Sequence, residues 1–427
     1  MNNTLAEPTV RQEFLAPLAA ALSRSTHTRN CPGYTDGQHL ESGVGRVLDH
    51  SVSGREWIQR LSMKFGIPVS VSNSFAALRS KRRQDMVDEV ARDVRDQADR
   101  LISHADDPLA EHQELNGFAV YASDGHTHGA SAHEKERHGK KYPVTHLYSL
   151  NLRTHSLTAL GLSFPQADHR KKEHELATLK RIGGKVLRMD EPKGVRVIHV
   201  YDPAIVDYVQ WQKWKQGRGI YVLTLEKSNS ALTTVGTMPW DRDDKRNIGV
   251  LADELVGPSN GYMMRRVTYE DPVTGKIYRF LLNELTIPPG LVAFLYKLRW
   301  DVEKVFDEIK NRSFERKAWA GNEPAKCQQA MFITLAHNLM RMLEIKLDHD
   351  EGITDQMAVA KRRTRINEEV TQTKEAGRIP NPLVTTWCRA TQRCCQFFRW
   401  LRHCLADSTP WTEAVALLRP LMARYIQ

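Results

Sequence analysis

Four residues between positions 296 and 310 combine side-chain types that are suited to phosphate chemistry. Tyr296, Arg299, Glu303 and Lys310 are spaced so that, at roughly 100° per residue, they fall within about 60° of one another on one helix. The apolar residues form a neighbouring stripe, which a core would cover: Leu298, Val302, Val305, Phe306 and Ile309. Such a helix presents a carboxylate flanked by two cations and a phenol. That set suits binding a phosphate backbone while holding a metal ion.

Two aspartates upstream are candidates for further metal ligands. Asp124 and Asp202 each follow an apolar segment that predicts a strand, Phe118–Ala122 and Val195–Tyr201. Neighbouring strand ends would bring the two carboxylates together, and a helix packed across them would add Glu303. Clustered carboxylates repel unless cations neutralise them, and Mg²⁺ prefers oxygen ligands. Two ions roughly 3.5–4 Å apart could activate the attacking oxygen and stabilise the leaving oxygen of a phosphoryl transfer.

The elements that must position these residues alternate between strands and helices. Residues 1–105 predict mostly helices, and the patterns between residues 118 and 225 predict the order β-β-β-α-β-α-β. Short strands, with a hairpin around Asp271–Gly275, then interrupt the alternation. A single helix is expected from Pro288 to about Asn311, followed by further helices.

We therefore expect an α/β protein in three parts. Residues 1–115 form a helical N-terminal region. Residues 116–311 form the catalytic domain, with a β-rich insertion at about residues 226–287. Residues 312–427 form a helical C-terminal region.

The charge balance favours a polyanionic partner. The formal net charge is +10, and its excess lies after residue 115. Arg312, with Arg316 and Lys317, continues the basic strip just past the helix and is expected to contact DNA phosphates. For the cluster Lys361–Arg365, phosphate contact and a solvated surface are equally good interpretations.

Cysteine usage and hydropathy indicate the compartment. The six cysteines form no CxxC pair, and no apolar run reaches the roughly 18 residues that cross a bilayer. We expect a reduced protein in the cytoplasm.

The motifs resemble those of the DDE transposases of bacterial insertion sequences, in the branch with a Y-x2-R-x3-E-x6-K signature. Residues 296–310 match that signature without a change. The family's first acidic residue matches Asp124 in Tyr-Ala-Ser-Asp-Gly, and its second matches Asp202 in His-Val-Tyr-Asp-Pro. The resemblance covers about residues 118–340. It implies an RNase H-like mixed sheet with flanking helices and a β-rich insertion before the last catalytic helix.

The resemblance also implies chemistry. Such enzymes cut the 3′ strand at each transposon end by hydrolysis, and the freed 3′-OH then attacks another phosphodiester. Asp124, Asp202 and Glu303 would be catalytic and would hold the metal, two Mg²⁺ ions for which Mn²⁺ can substitute. The side chains that would contact phosphates near the cut are Tyr296, Arg299 and Lys310.

Partners follow from the same resemblance. They are double-stranded DNA, both the terminal inverted repeats and the target, and a second protomer in one synaptic complex. Both terminal regions would help recognise the repeats. Excision in this branch usually passes through a hairpin, and Trp240 in the insertion is a candidate for stacking on a flipped base. A core position is the second interpretation for Trp240.

The third acidic residue, the histidines and the activity each keep a second interpretation. Asp307 rivals Glu303, because it lies four residues further on and only about 40° round the helix. The four histidines from His126 to His138 match no standard zinc spacing, and a solvated loop near DNA is favoured. For the activity, an RNase H-like nuclease without strand transfer and an inactive DNA-binding remnant compete with a transposase.

Overall fold

A nine-stranded mixed sheet forms the centre of the computed structural model. The structure describes residues 7–49, 53–102, 107–136, 139–163, 173–257, 262–311, 317–383 and 392–423. The strands are β1 (Phe118–His128), β2 (Val144–Asn151), β3 (Leu157–Ser163), β4 (Arg196–Val200), β5 (Ile220–Leu225), β6 (Thr233–Thr237), β7 (Val250–Gly257), β8 (Met264–Glu270) and β9 (Ile277–Leu282). Their order across the sheet is β3-β2-β1-β4-β5-β9-β8-β7-β6.

Helices cover both faces of the sheet. The N-terminal helices are α1 (Val10–Arg24), α2 (Asp36–Leu48), α3 (Gly54–Phe65), α4 (Val71–Arg79) and α5 (Lys81–Leu101). The helices between strands are α6 (Glu175–Leu187) and α7 (Tyr208–Arg218). The helices after the last strand are α8 (Pro289–Leu298), α9 (Trp300–Asn311), α10 (Glu323–Glu351), α11 (Gln356–Glu375), α12 (Cys395–Asp407) and α13 (Trp411–Ala423). No helix in these described ranges is long and apolar enough to cross a bilayer.

The first five strands have the RNase H-like arrangement. Strand β1 pairs in parallel with β4, and β4 pairs in parallel with β5. Strands β2 and β3 extend the sheet on the other side by antiparallel pairing. Helix α6 connects β3 to β4, and α7 connects β4 to β5. The predicted fold class is therefore confirmed.

The insertion does not form a separate layer, because its strands continue the same sheet. Strand β9 pairs antiparallel with β5, and β8, β7 and β6 follow in turn. The hairpin predicted around Asp271–Gly275 joins β8 to β9, with Glu270 opposite Ile277. The Asp271 carboxylate accepts hydrogen bonds from the Val273 N–H and the Thr274 hydroxyl, which hold this turn.

Strand β1 is longer than the sequence suggested. The apolar run predicts a strand that ends at Ala122, but β1 continues to His128. The reason is the partner strand: β2 pairs with β1 over its whole second half, with Asp124 opposite Tyr148. Strand β4 pairs with β1 only as far as Ala122. Asp124 therefore lies inside β1 but just beyond the end of β4.

The helix predicted from Pro288 to Asn311 is two helices that meet at Arg299. The Arg299 N–H donates to the Tyr296 carbonyl, and the Val302 N–H donates to the Arg299 carbonyl, each at 3.2 Å. These are three-residue steps, so the backbone tightens locally, although Arg299 keeps helical backbone angles. The prediction of a single helix was wrong, and Tyr296 and Glu303 lie on different helices.

Two cores hold these layers together. On one face, α8, α9 and α10 pack with the N-terminal helices against side chains such as Val120 and Tyr148. On the other face, α6 and α7 cover a smaller core that includes Tyr121 and Trp211. Helix α8 buries nine of its ten residues, and the longer α10 buries 17 of 29. Burial on both faces makes the sheet a rigid support for side chains at its strand ends.

Candidate active site

Asp124 stands at the edge of the β1–β4 pairing with a carboxylate that is largely buried. Its Oδ1 accepts a hydrogen bond from the Gly125 N–H at 2.7 Å. Burial raises the pKa of Asp124 to about 6, and the nearby carboxylates of Glu175 and Asp202 act in the same direction. The Gly125 N–H and Arg299 oppose this shift. Such a carboxyl favours a cation as neighbour.

Asp202 follows β4 after Tyr201 and faces the same depression. Its Oδ1 accepts a hydrogen bond from the Ala204 N–H at 2.8 Å, which fixes the carboxylate in an Asx-type turn. Asp124, Glu175 and Asp202 together line a small pocket between β1, β4 and α6. The structure thus brings the two predicted aspartates together at the end of β4.

Glu303 reaches the site through Arg299. The Glu303 Oε1 lies 2.8 Å from the Arg299 Nη2, and the Arg299 Nη1 lies 3.7 Å from the Asp124 Oδ2. One guanidinium therefore bridges a carboxylate on α9 and a carboxylate on β1. It links the third predicted acidic residue to the first.

The Arg299 side chain is buried, which is unusual for an arginine that pairs with a carboxylate on the next turn of a helix. Its side chain is only 6% exposed and packs beside the rings of Tyr296 and Trp300, each 5.5 Å from the guanidinium carbon. Its Nε and Nη1 are buried and make no hydrogen bond of good geometry with the described residues, although the Tyr296 hydroxyl and the Asp124 carboxylate lie close by. Buried donors without acceptors cost about 1–3 kcal/mol each, so this guanidinium has unused capacity for an anion.

The structure describes the other predicted phosphate-binding residues, Tyr296, Lys310 and Arg312, only in part. Tyr296 is buried on α8 with its ring 5.2 Å from that of Phe280, and burial raises the pKa of its hydroxyl. Lys310 belongs to α9, but its side chain lies outside the described residues, as does the whole of Arg312. Their contacts with phosphate stay predictions.

The three other acidic residues of α9 have different surroundings. Asp301 is buried beside Lys304 and His155. Asp307 is exposed. Glu308 is buried in an ion pair with Arg393, whose Nη1 lies 2.5 Å from the Glu308 Oε1. Glu303 is thus the acidic side chain of this helix that contacts the Arg299–Asp124 pair.

Glu175 is a site residue that sequence reasoning missed. It is the first residue of α6, and a Cβ placed on Gly125 would come within 2.3 Å of its Oε1. The absence of a side chain at Gly125 therefore allows this carboxylate to approach β1. The sequence signal that could have identified Glu175 is its position at the start of the helix that connects β3 to β4.

The solvated loop predicted for the four histidines is wrong for His126 and His128, whereas His133 is exposed outside the strands and His138 lies outside the described residues. His126 and His128 belong to β1, and His128 is fully buried, with its ring 4.5 Å from that of His146 on β2. The His126 ring lies 5.2 Å from Phe306 on α9. Burial holds the pKa of His146 well below its usual value. The prediction failed because strand pairing with β2 continues past Asp124.

Within the described ranges, no three His, Cys, Asp or Glu side chains are gathered closely enough to hold a metal ion. This applies to the histidines and to the acidic residues alike. The carboxylates have the hard oxygen donors that suit Mg²⁺ or Mn²⁺. In this arrangement, however, the Arg299 guanidinium lies between two of them.

Trp240 is half-buried between β6 and the turn at Lys245–Asn247. The Arg242 guanidinium carbon lies 4.8 Å from its ring centroid. The Asn247 side chain accepts a hydrogen bond from the Gly290 N–H at the start of α8. This segment is therefore tied to the helix that leads to Arg299, and base stacking by Trp240 stays a prediction.

An aromatic cleft adjoins the site on the other side of Tyr296. It has a volume of about 440 Å³. The aromatic residues that line it are Tyr269, Tyr278, Phe280, Phe294, Tyr296 and Trp300. Lys297, Lys304 and Arg365 add positive charge to its wall. Aromatic faces with nearby cations suit a nucleotide base and its phosphate.

A mixed sheet of this order, with acidic side chains at the end of its central strands, places the protein in the RNase H-like class. The family model for the transposase DDE domain matches residues 55–339, about two thirds of the chain. The chain belongs to that family. It is a transposase by family, and DDE transposases act on DNA and generally use divalent metal ions. No curated protein matches the chain.

Proposed function

We propose that the protein is a cut-and-paste transposase of an insertion sequence, with Asp124, Asp202 and Glu303 as its catalytic carboxylates. The observation that carries this proposal is the single guanidinium of Arg299, which contacts both Asp124 and Glu303. Two residues from distant parts of the chain share one cation. Asp202 lines the same pocket as Asp124, so the three carboxylates belong to one site.

These carboxylates would hold two divalent ions, Mg²⁺ or Mn²⁺. Bound ions would supply activation of the attacking oxygen and stabilisation of the leaving oxygen during hydrolysis and strand transfer. The protein's part is to hold the ligands on rigid elements. Asp124 is fixed by the Gly125 N–H, and Asp202 by the Ala204 N–H.

Cationic and phenolic groups around the carboxylates would position the scissile phosphate. Arg299 has buried N–H donors available, and Tyr296 lies against it. Lys310 and Arg312 follow on the same segment and would extend the phosphate contacts along the strand. This arrangement supports membership in the branch with the Y-R-E-K signature.

A hairpin intermediate at the transposon end would need a place for an unpaired base. Trp240, with Arg242 over its ring, is one such place. The aromatic cleft beside Tyr296 and Trp300 is a second such place. Both of these lining residues pack against Arg299, which contacts Asp124 and Glu303. Base–aromatic stacking contributes about 1–3 kcal/mol per base.

The terminal regions would bind the inverted repeats, and two protomers would act together on two transposon ends. Helix α11 supports DNA binding by the C-terminal region, because 12 of its 20 residues are exposed, among them Lys361 and Arg363, and only Thr373 is buried. The reaction would take place in the cytoplasm.

A donor DNA that carries the sequences flanking the coding region tests the proposal. Wild type should release the element and join it to a target with Mg²⁺ or Mn²⁺. Asp124→Asn and Glu303→Gln should do neither. Asp307→Asn, an exposed change on the same helix, is the matched control and should retain activity.

The products of this reaction distinguish a transposase from a nuclease and from an inactive remnant. Cuts without joined products would indicate a nuclease that does not perform strand transfer. Binding of the ends without any cut by wild type would indicate an inactive remnant. Equal activity of wild type, Asp124→Asn and Glu303→Gln would overturn the site assignment.

A further inference from the structure

The position of Arg299 has a consequence for metal binding. Its Nη2 contacts the Glu303 Oε1 at 2.8 Å, and its Nη1 lies 3.7 Å from the Asp124 Oδ2. A divalent ion bound by these two side chains would need the same oxygens. Because a guanidinium and a metal ion repel each other, Arg299 and a metal ion cannot both lie between the Asp124 and Glu303 carboxylates.

The guanidinium is not fully satisfied where it lies. Its Nε and Nη1 make no hydrogen bond of good geometry with the described residues, although only 6% of the side chain is exposed and the Tyr296 hydroxyl lies close by. A phosphate oxygen is the acceptor that matches a guanidinium best, because it can take two parallel N–H bonds. The buried donors thus favour movement toward a phosphate when one is near.

Arg299 keeps helical backbone angles, so the movement needs a change in its side chain only. Arg299 occupies the break between α8 and α9, where three-residue hydrogen bonds replace the regular helical ones. Its side chain packs against the rings of Tyr296 and Trp300. It also forms ion pairs with the carboxylates of Asp124 and Glu303. A change of rotamer can exchange the carboxylates for a phosphate while the rings remain in place.

We propose that Arg299 is a positioning residue that couples DNA binding to metal binding. It acts as an internal cation for Asp124 and Glu303, and a DNA phosphate draws it away, which frees both carboxylates for the metal. The inference rests on the proposed function of this site. Since coupling between two ligands is reciprocal, metal ions would strengthen DNA binding by the same factor.

The test measures Mn²⁺ binding to the full-length protein by calorimetry, with and without a duplex copied from the DNA that flanks the coding region. Wild type should bind Mn²⁺ about tenfold more tightly with the duplex, within the usual range of coupling between sites. Arg299→Gln should bind Mn²⁺ about tenfold more tightly than wild type when DNA is absent. It should also lose most of the gain from DNA.

Three further variants make the outcome specific. Arg60→Gln removes an arginine from a partly exposed pair on α3 and should match wild type. Arg299→Lys keeps the charge and should fall between wild type and Arg299→Gln. If thermal unfolding shows that Arg299→Gln is not folded, Arg299→Lys is compared with wild type instead. Glu303→Gln should abolish tight Mn²⁺ binding.

The inference and the proposed function can fail separately. If Arg299→Gln binds Mn²⁺ no more tightly than wild type without DNA, while Glu303→Gln abolishes binding, the coupling is overturned and the metal site stands. If Glu303→Gln and Asp124→Asn both bind Mn²⁺ like wild type, the metal site itself is wrong.

Discussion

Asp124→Asn is expected to increase the free energy of unfolding at neutral pH, even though the same change should abolish catalysis. The Asp124 side chain is 20% exposed, and burial together with Glu175 and Asp202 raises its pKa from 3.8 to about 6. Its ionised form is therefore disfavoured in the folded protein. Asparagine has nearly the same shape, keeps an oxygen for the Gly125 N–H, and carries no charge.

The size of the expected stability gain and its pH dependence follow from the shift in the pKa of Asp124. An acid with a higher pKa in the folded state binds its proton more tightly there, so the native state loses stability as the pH rises from about 4 to about 6. A shift from 3.8 to about 6 corresponds to roughly 3 kcal/mol at pH 7.5 and roughly half of that at pH 5. For 427 residues, the gain of Asp124→Asn in Tm would be about 3 °C at neutral pH.

Thermal unfolding of wild type and Asp124→Asn at about pH 5 and about pH 7.5 measures this effect. A chelator is needed in every sample, because a divalent ion bound to the wild-type carboxylates would stabilise the fold. Asp307→Asn removes the same charge from an exposed position and should change stability by less than about 0.5 kcal/mol. The reasoning is refuted if Asp124→Asn gains nothing at pH 7.5, or gains as much at pH 5.

Three further changes test other parts of the structure. Gly125→Ala should reduce stability by about 1–3 kcal/mol, because the new methyl group would meet the Glu175 carboxylate; urea unfolding measures this. Arg393→Met should reduce stability by about 3–5 kcal/mol, because it leaves Glu308 buried without its ion-pair partner; thermal unfolding measures this. Lys361→Gln should reduce the slope of log Kd against log salt by about 1 if α11 contacts DNA phosphate; fluorescence anisotropy with duplex DNA measures this.

Each of these changes has a control. Gly33→Ala adds a methyl group where nothing lies within 4 Å and should be close to neutral. Arg419→Gln breaks an exposed pair with Glu351 and should cost less than about 1 kcal/mol. An unchanged salt slope for Lys361→Gln would show that this residue belongs to a solvated surface.

Local patterns in the sequence were enough to predict the fold. Alternating and helical hydrophobic periods record which face of each element is buried, and this produced the order of strands and helices from β1 to β5 and the hairpin at Asp271–Gly275. The family followed from residue types at particular spacings, confirmed by the match over residues 55–339. Asp124, Asp202 and Glu303 were named from the same signals.

The errors arose where long-range pairing overruled a local signal. The apolar run predicts a strand that ends at Ala122, but pairing with β2 extends β1 to His128 and buries that histidine. The approach of Glu175 depends on how α6 crosses the sheet, about which hydrophobic periodicity contains no information.

The sequence by itself determined the class of protein and the order of elements from β1 to β5, and it supplied the candidate acidic residues, because these are recorded in residue types and local periods. Only the tertiary structure decided how those residues meet. It broke the expected helix at Arg299 and placed that guanidinium between Asp124 and Glu303. The physical reason is that α9 and β1 approach each other through packing of a shared core, and the distance between their side chains depends on that packing rather than on any local spacing.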